Sequence, residues 1–160
     1  MQRILFSSFL GFVTLYLCIS CDSKQQSKGA VSLMKFGIPV ELSAPKDVEL
    51  SQVGKGNLTH VAVKNSAGYD IQVFMTTAVS QDLTWLKQQK KEMITAHPNF
   101  TKIVEETNEG FIYEKTESDG TLSYDFVHVK LQGDKEISYM GGNSSVFTEK
   151  DVKEMISSIR

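Results

Sequence analysis

The stretch "SYDFVHVKL", residues 123–131, carries apolar side chains at both alternating sets of positions. Successive side chains of a strand point to opposite faces of a sheet. One face of this strand carries Val127, Val129 and Leu131, and the other carries Tyr124, Phe126 and His128. A strand with one solvated face shows a clean alternation of apolar and polar residues, which this strand lacks. We therefore expect a sheet that is covered on both sides.

Further strands surround this stretch. Four segments of the second half are separated by NEG, SDG and GD, which are turn-forming combinations, so they predict an antiparallel meander. The segments are NFTKIVEET, GFIYEKTE, TLSYDFVHVKLQ and KEISYMG. In the first half, IPVELSAP alternates apolar and polar residues, VGKGN is predicted as a turn or loop, and THVAVKN and DIQVFMTTA predict a hairpin across SAGY.

Two helices are predicted. The first runs from Ser80, whose hydroxyl can cap the first turn, to about Ala96, and Pro98 stops it. Its apolar stripe comprises Leu83, Leu86, Met93, Ile94 and His97. The second helix begins at Thr148, with Asp151 in the capping-box position. Its expected buried face, at the spacing i, i+3, i+4, i+7, comprises Val152, Met155, Ile156 and Ile159.

The fold class that follows is α/β, of the α+β type. We expect a mostly antiparallel sheet of about six to seven strands with a helix on each face, which makes a three-layer sandwich. Residues 36–160 would form this single domain. Residues 22–30 are polar and lack an apolar period, so residues 21–35 are predicted to be a flexible tether.

The N-terminus predicts an export signal. Arg3 supplies a positive charge, and residues 4–17 then form an apolar run of 14 residues without a charge. A helix needs about 20 residues to span a bilayer, so this run suits the core of a secretory signal peptide instead. Ser20, a small residue, precedes Cys21.

This pattern resembles the lipobox of bacterial lipoproteins. The resemblance implies removal of residues 1–20 and acylation of Cys21, whose acyl chains would hold the protein on a membrane. Cys18 stands where the family usually has leucine, which is a departure from the pattern. An ordinary secreted protein and an uncleaved anchor are the alternatives. The Cys18–Cys21 pair does not match a redox or zinc site, because it closes an apolar run and lacks further ligands at matching spacing.

The element order resembles the Mog1/PsbP-like fold. IPVELSAP, GFIYEK and KDVKEMISSI carry the likeness, which covers most of residues 36–160. The chain is similar to small lipoproteins found in Bacteroidetes. The resemblance implies binding of other proteins and fixes no catalytic residues, so none are assigned.

Charge and motifs exclude several classes of function. The net charge is −2, or about −3 after loss of Arg3, and there is no long basic run, so nucleic-acid binding is not expected. Glu105, Glu106 and Glu109 lack the ligand spacing of a calcium loop and are interpreted as a solvated strand end. No metal and no cofactor is expected.

No catalytic motif occurs in the mature chain. G-x-S-x-G and H-E-x-x-H are both absent. His128 lies near Asp125, but strand alternation places the two side chains on opposite faces, so they do not form a dyad. His128 is interpreted as a packed or surface histidine.

Two features suggest partner binding. Trp85, the single tryptophan, lies off the main apolar stripe of the first helix and is either an exposed anchor or a cover for a sheet edge. The second feature is an aromatic patch formed by Tyr113, Tyr124, Phe126 and Tyr139, unless a helix covers these rings. The sequence thus predicts a lipid-anchored, non-catalytic protein-binding or assembly factor of the bacterial cell envelope, with an envelope protein as partner. A carrier of a small hydrophobic ligand, and then a hydrolase with dispersed active-site residues, are the alternatives.

Overall fold

The computed structural model describes residues 27–54, 57–143 and 145–160. The expected signal peptide and Cys21 lie outside these residues. Seven antiparallel strands form the main sheet, in the order β3-β4-β5-β9-β8-β7-β6. They are β3 (Glu49–Gly54), β4 (Thr59–Lys64), β5 (Asp70–Thr77), β6 (Phe100–Glu106), β7 (Gly110–Thr116), β8 (Leu122–Gln132) and β9 (Lys135–Gly141).

Two further strands form a separate hairpin. β1 (Lys28–Ser32) pairs antiparallel with β2 (Glu41–Pro45), and the connection includes a short 3₁₀ turn, Met34–Phe36. Leu33 is fully buried. This corrects the prediction of a tether up to residue 35, because the ordered domain already begins at β1.

The sheet is covered on both sides, as the stretch 123–131 predicted. Phe126 of β8 belongs to an apolar cluster that includes residues of the terminal helix α2 (Glu149–Ile156) and of the β1–β2 hairpin. Val127, its neighbour in the chain, belongs to a second cluster with residues of the helix α1 (Leu83–Thr95). We call these two sides of the sheet the α2 face and the α1 face. The α+β class with a helix on each face is therefore confirmed.

The helix ends follow local capping chemistry. Thr148 and Asp151 form the predicted capping box of α2, with the Asp151 amide donating to the Thr148 hydroxyl at 3.2 Å. α1 begins three residues later than predicted, because the Asp82 carboxylate, rather than Ser80, accepts from the amides of Thr84 and Trp85. Its buried stripe is also narrower than predicted, since Met93 is 59% exposed and His97 is exposed.

The third strand, β3, differs from the prediction. β3 includes Val53 and Gly54, which were placed in a turn or loop. It is an edge strand with a register shift between Gln52 and Gly54, and its side chains are mostly exposed. An edge strand of this kind lacks the apolar alternation that would have identified it.

Candidate functional site: a cavity beneath the C-terminal helix

A cavity of about 220 Å³ lies between α2 and the β6–β7–β8 part of the sheet. β6, the β6–β7 turn, β7, β8 and α2 all contribute to its walls. The lining residues are Glu105, Thr107, Gly110, Phe111, Ile112, Val127, His128, Lys153, Ile156 and Ser157. Apolar walls with a few converging polar groups are the usual composition of a small-molecule site.

The β6–β7 turn shapes one end of this cavity. The Thr107 amide donates to the Gly110 carbonyl at 2.8 Å, and the Gly110 amide donates to the Thr107 hydroxyl at 3.1 Å. Gly110 is the register partner of His128 on β8. A side chain at Gly110 would collide with the backbone of Val127 and His128, so glycine is required at this close approach.

His128 is the central polar group of the cavity. The residue is 9% exposed, and its Nε2 is buried without a hydrogen-bond partner among the described residues. The Glu109 carboxylate lies 3.6 Å from Nε2, beyond hydrogen-bond length. Burial lowers the pKa of His128, while Glu109 opposes that shift. The imidazole is therefore neutral at neutral pH, and its Nε2 is closed to solvent.

Tyr139 places a second unpartnered group next to His128. The two residues are register partners on β8 and β9, and their rings meet edge to face at a centroid distance of 5.7 Å. The Tyr139 hydroxyl is buried without a partner among the described residues, and burial raises its pKa to about 12. Buried polar groups are rarely left unpaired in folded proteins. The two adjacent polar atoms are closed to solvent and belong to the interior of the α2 face.

The mouth of the cavity carries charged side chains. The Lys153 ammonium lies 3.1 Å from the Glu105 carboxylate and 2.8 Å from the Glu149 carboxylate. Hydrogen bonds to both carboxylates raise the pKa of Lys153, so the ammonium stays charged. The lining itself thus holds one carboxylate, that of Glu105, and one ammonium, that of Lys153.

The α1 face carries a buried polar cluster with a structural role. Asp125 is 2% exposed, and its carboxylate accepts from the amides of Phe126 and Gly141 at 2.7 and 2.8 Å. The Tyr113 hydroxyl donates to the same carboxylate at 3.1 Å. These contacts link β7, β8 and β9, and they confirm that Asp125 and His128 lie on opposite faces.

The predicted aromatic patch does not form an open surface. Tyr113, Phe126 and Tyr139 are buried, and Tyr124 is half-buried. Tyr113 lies on the α1 face, whereas the other three lie on the α2 face, under the cover of α2 and its preceding loop. The physical reason is that both faces of the sheet are covered, so these rings pack in the hydrophobic core. Trp85 is 44% exposed on α1, which leaves it available to a partner.

A surface depression on α2 and the acidic side chains of the sheet do not form a second candidate site. A depression of about 530 Å³ along the outer side of α2 is lined by charged and hydroxyl residues alone, so it lacks apolar walls. In the described ranges, no group of three or more His, Cys, Asp or Glu side chains is arranged to hold a metal ion. Glu106 of the acidic cluster pairs instead with Lys87 at 3.0 Å and Lys91 at 2.6 Å.

No protein-family model matches the sequence, and no curated protein matches it. Among the residues that the structure describes, no helix has both the length and the apolar character needed to cross a membrane.

Sequence reasoning missed the cavity. Its residues come from β6, β7, β8 and α2, and their convergence depends on how α2 crosses the sheet. The sequence analysis placed Glu105 near an acidic strand end and Ile156 on a buried helix face, and it interpreted His128 as a packed or surface histidine. The one local signal was Gly110 at the start of a strand, where glycine often marks a close backbone approach.

Proposed function

We propose that this chain is a non-catalytic binding protein of the bacterial envelope, anchored through acyl chains on Cys21. It holds a small, mostly apolar ligand in the cavity beneath α2. The observation that carries this proposal is the cavity of about 220 Å³ itself, which is lined by apolar side chains together with His128. The N-terminal sequence, with its apolar run and the Ser20–Cys21 junction, supports the envelope anchor.

The size of the cavity limits the ligand. A cavity of about 150 Å³ accepts benzene, and pockets for drug-sized molecules begin at about 300 Å³. A cavity of about 220 Å³ lies between these values. The expected ligand is therefore a single ring or a short branched chain that carries one polar group.

The surroundings of His128 favour binding over catalysis. A histidine that acts as a general base needs a hydrogen bond to the nucleophile that it activates. In the part of the chain that the structure describes, no hydroxyl bonds the Nε2 of His128. Asp125 lies on the other face and is held by Tyr113, so it does not orient the imidazole.

A substitution at His128 tests the binding proposal. The lipidated protein would be titrated by calorimetry with monocyclic and short branched alcohols, amines and carboxylates. We expect at least one class to bind the natural protein and to lose affinity in His128→Phe, which changes a side chain of the cavity wall. His60→Phe is the matched control, because His60 stacks on Phe74 with ring centroids 4.1 Å apart on the α1 face. Equal binding by both variants would contradict the proposal.

A second candidate function is protein binding through α1. The observation in its favour is the exposed Trp85, since tryptophan is enriched among residues that dominate interface energy. The resemblance to the Mog1/PsbP-like fold, which rests on the element order, agrees with this function. Crosslinking in intact cells, with Trp85→Ala alongside, would test it. A reproducible envelope partner that the substitution weakens would favour this function over ligand binding.

A further inference from the structure

The connection between the expected lipid attachment site and the ordered domain is short. Cys21 is followed after only six residues by Lys28, the first residue of β1. A fully extended chain advances at most about 3.6 Å per residue, so this connection spans at most about 25 Å. Wherever acyl chains on Cys21 enter a bilayer, Lys28 must therefore lie within about 25 Å of the bilayer surface.

Hydrogen bonds place Lys28 at one end of the main sheet. β1 begins with Lys28 opposite the end of β2, and the Lys46 amide donates to the Ser27 carbonyl at 3.2 Å. The turn after β2 is joined in the same way to the β4–β5 turn, because the Asn65 side-chain amide donates to the Asp47 carboxylate at 3.2 Å. The start of β1, the β2–β3 turn and the β4–β5 turn thus share one end of the domain.

We call this surface the β4–β5 end. Its members at the start of β1 and in the two turns are exposed, and they comprise Lys28, Lys46, Lys64 and residues 66–68. Ammonium groups near a bilayer are attracted to anionic lipid headgroups. Asp47 and Glu49 are exposed beside these lysines, so the length of the connection, rather than the net charge, determines which end can face a membrane.

The opposite end of the sheet is too far from Lys28 to take its place. β5 runs from Asp70, at the β4–β5 end, to Thr77, and its 8 residues span about 26 Å at about 3.3 Å per residue. If the opposite end lay on the bilayer, Lys28 would be about a strand length above it. The connection to Cys21 would then have to be fully extended, which the conformational entropy of the chain opposes.

We propose that the β4–β5 end lies against the lipid headgroups of the membrane that holds Cys21. This inference rests on the anchor in the proposed function, since acylation of Cys21 fixes the connection to the bilayer. β5 ends where β9 begins and β8 ends, and the β6–β7 turn at one end of the cavity lies towards that same side of the sheet. Trp85, in the first turn of the helix after β5, lies there as well. The cavity and Trp85 are thus turned away from the membrane.

Single-cysteine variants test this orientation. After removal of residues 1–20, the mature chain would have no thiol besides that of Cys21, so a fluorophore can be attached at one chosen position. The full lipidated protein would carry it at Ala67→Cys, in the β4–β5 turn, or at the matched control Asn108→Cys, in the β6–β7 turn, both exposed positions. The vesicles would contain phosphatidylethanolamine and phosphatidylglycerol with nitroxide-labelled headgroups, which quench a nearby fluorophore. We expect most of the fluorescence to be lost at Ala67→Cys and to be retained at Asn108→Cys.

A longer connection tests the cause of the orientation. A spacer of about 20 glycine and serine residues inserted before Ser27 roughly doubles the mean distance between Cys21 and Lys28. It should weaken the quenching at Ala67→Cys, and quenching that the spacer leaves unchanged would overturn the inference.

The outcomes separate this inference from the proposed function. If the protein floats with the vesicles but Asn108→Cys is quenched as strongly as Ala67→Cys, the orientation is wrong and the anchor stands. If the natural protein does not float with the vesicles and its Cys21 is unmodified, both the anchor and the orientation are overturned.

Discussion

The Tyr113 hydroxyl donates a hydrogen bond of 3.1 Å to the carboxylate of Asp125, across neighbouring strands in the interior of the α1 face. Burial and the nearby Asp125 charge raise the pKa of Tyr113, so its hydroxyl stays protonated and remains a donor at neutral pH. Burial also raises the pKa of Asp125, although Lys115, at 3.7 Å, opposes that shift. The contribution of this pair to the stability of the protein therefore depends on pH.

Asp125→Asn should change the pH dependence of stability. A raised pKa in the folded state means that the natural protein loses stability as pH rises from 3.8 through the folded pKa of Asp125. Asparagine does not titrate, and its oxygen can still accept from the Phe126 and Gly141 amides. The stability of the variant relative to the natural protein should therefore increase with pH across this interval.

Urea unfolding at pH values from 4 to 7 would measure this difference. Asp119→Asn is a suitable control, because turn hydrogen bonds lower the pKa of the exposed Asp119 from 3.8, so that its effect on stability should stay nearly constant between pH 4 and 7. An Asp125→Asn difference that is constant across this range would contradict the prediction.

Met155→Ala should destabilise the packing of α2 on the sheet. Met155 is 2% exposed and belongs to the α2-face cluster. Large-to-alanine changes in a core cost about 2–5 kcal/mol of unfolding free energy, from lost burial and the remaining cavity. Chemical denaturation would measure the loss, with the exposed Glu154→Ala as the control on the same helix. A loss below about 1 kcal/mol would show that α2 packs less tightly than described.

Local rules predicted the parts of the fold that depend on neighbouring residues. Alternation in residues 123–131 was sufficient to predict a sheet covered on both sides. The Thr148–Asp151 capping box was also predictable, since both residues belong to one helical turn. β1 and β3 were missed because their pairing, rather than an apolar pattern, holds them in place, and their side chains are mostly exposed.

Sequence patterns of neighbouring residues could not predict the candidate site. His128 could be placed on a face of β8, but its neighbours Glu109 and Lys153 were fixed by tertiary packing. The prediction of an exposed aromatic patch was wrong for the same reason, since tertiary packing determines which rings are covered. Tyr139 alternates correctly along β9, yet whether α2 or solvent covers it depends on the position of the helix relative to the sheet.

The N-terminal sequence predicts different roles for the two cysteines. We expect Cys21→Ser to abolish acylation and to leave the signal peptide uncleaved, because Cys21 is the proposed lipid attachment site. Cys18→Ser should leave acylation intact, because Cys18 would be removed with the signal peptide. The mass of the N-terminal peptide after membrane extraction would distinguish these results. An unmodified peptide that begins at Met1 in the natural protein would contradict the lipoprotein proposal.

His128 should make the fold sensitive to acid. Its pKa in the folded state is lowered from 6.5 by burial, so the folded protein binds a proton less readily than the unfolded chain. The resulting stability is fully present above 6.5 and is lost as pH falls from 6.5 towards the folded pKa. The charge of Glu109 raises the pKa of His128 and so opposes the effect of burial, whereas the charge of Lys130 lowers this pKa further.

Two variants isolate this contribution. His128→Phe should reduce the loss of stability on the acid side of 6.5, because phenylalanine does not titrate. Glu109→Gln should make the loss larger than in the natural protein, because the carboxylate that supports the protonated imidazole is gone. Thermal unfolding between pH 5 and 8 would compare the three proteins. If His128→Phe and the natural protein lost stability equally below 6.5, then the imidazole would not be held neutral by burial in the cavity wall.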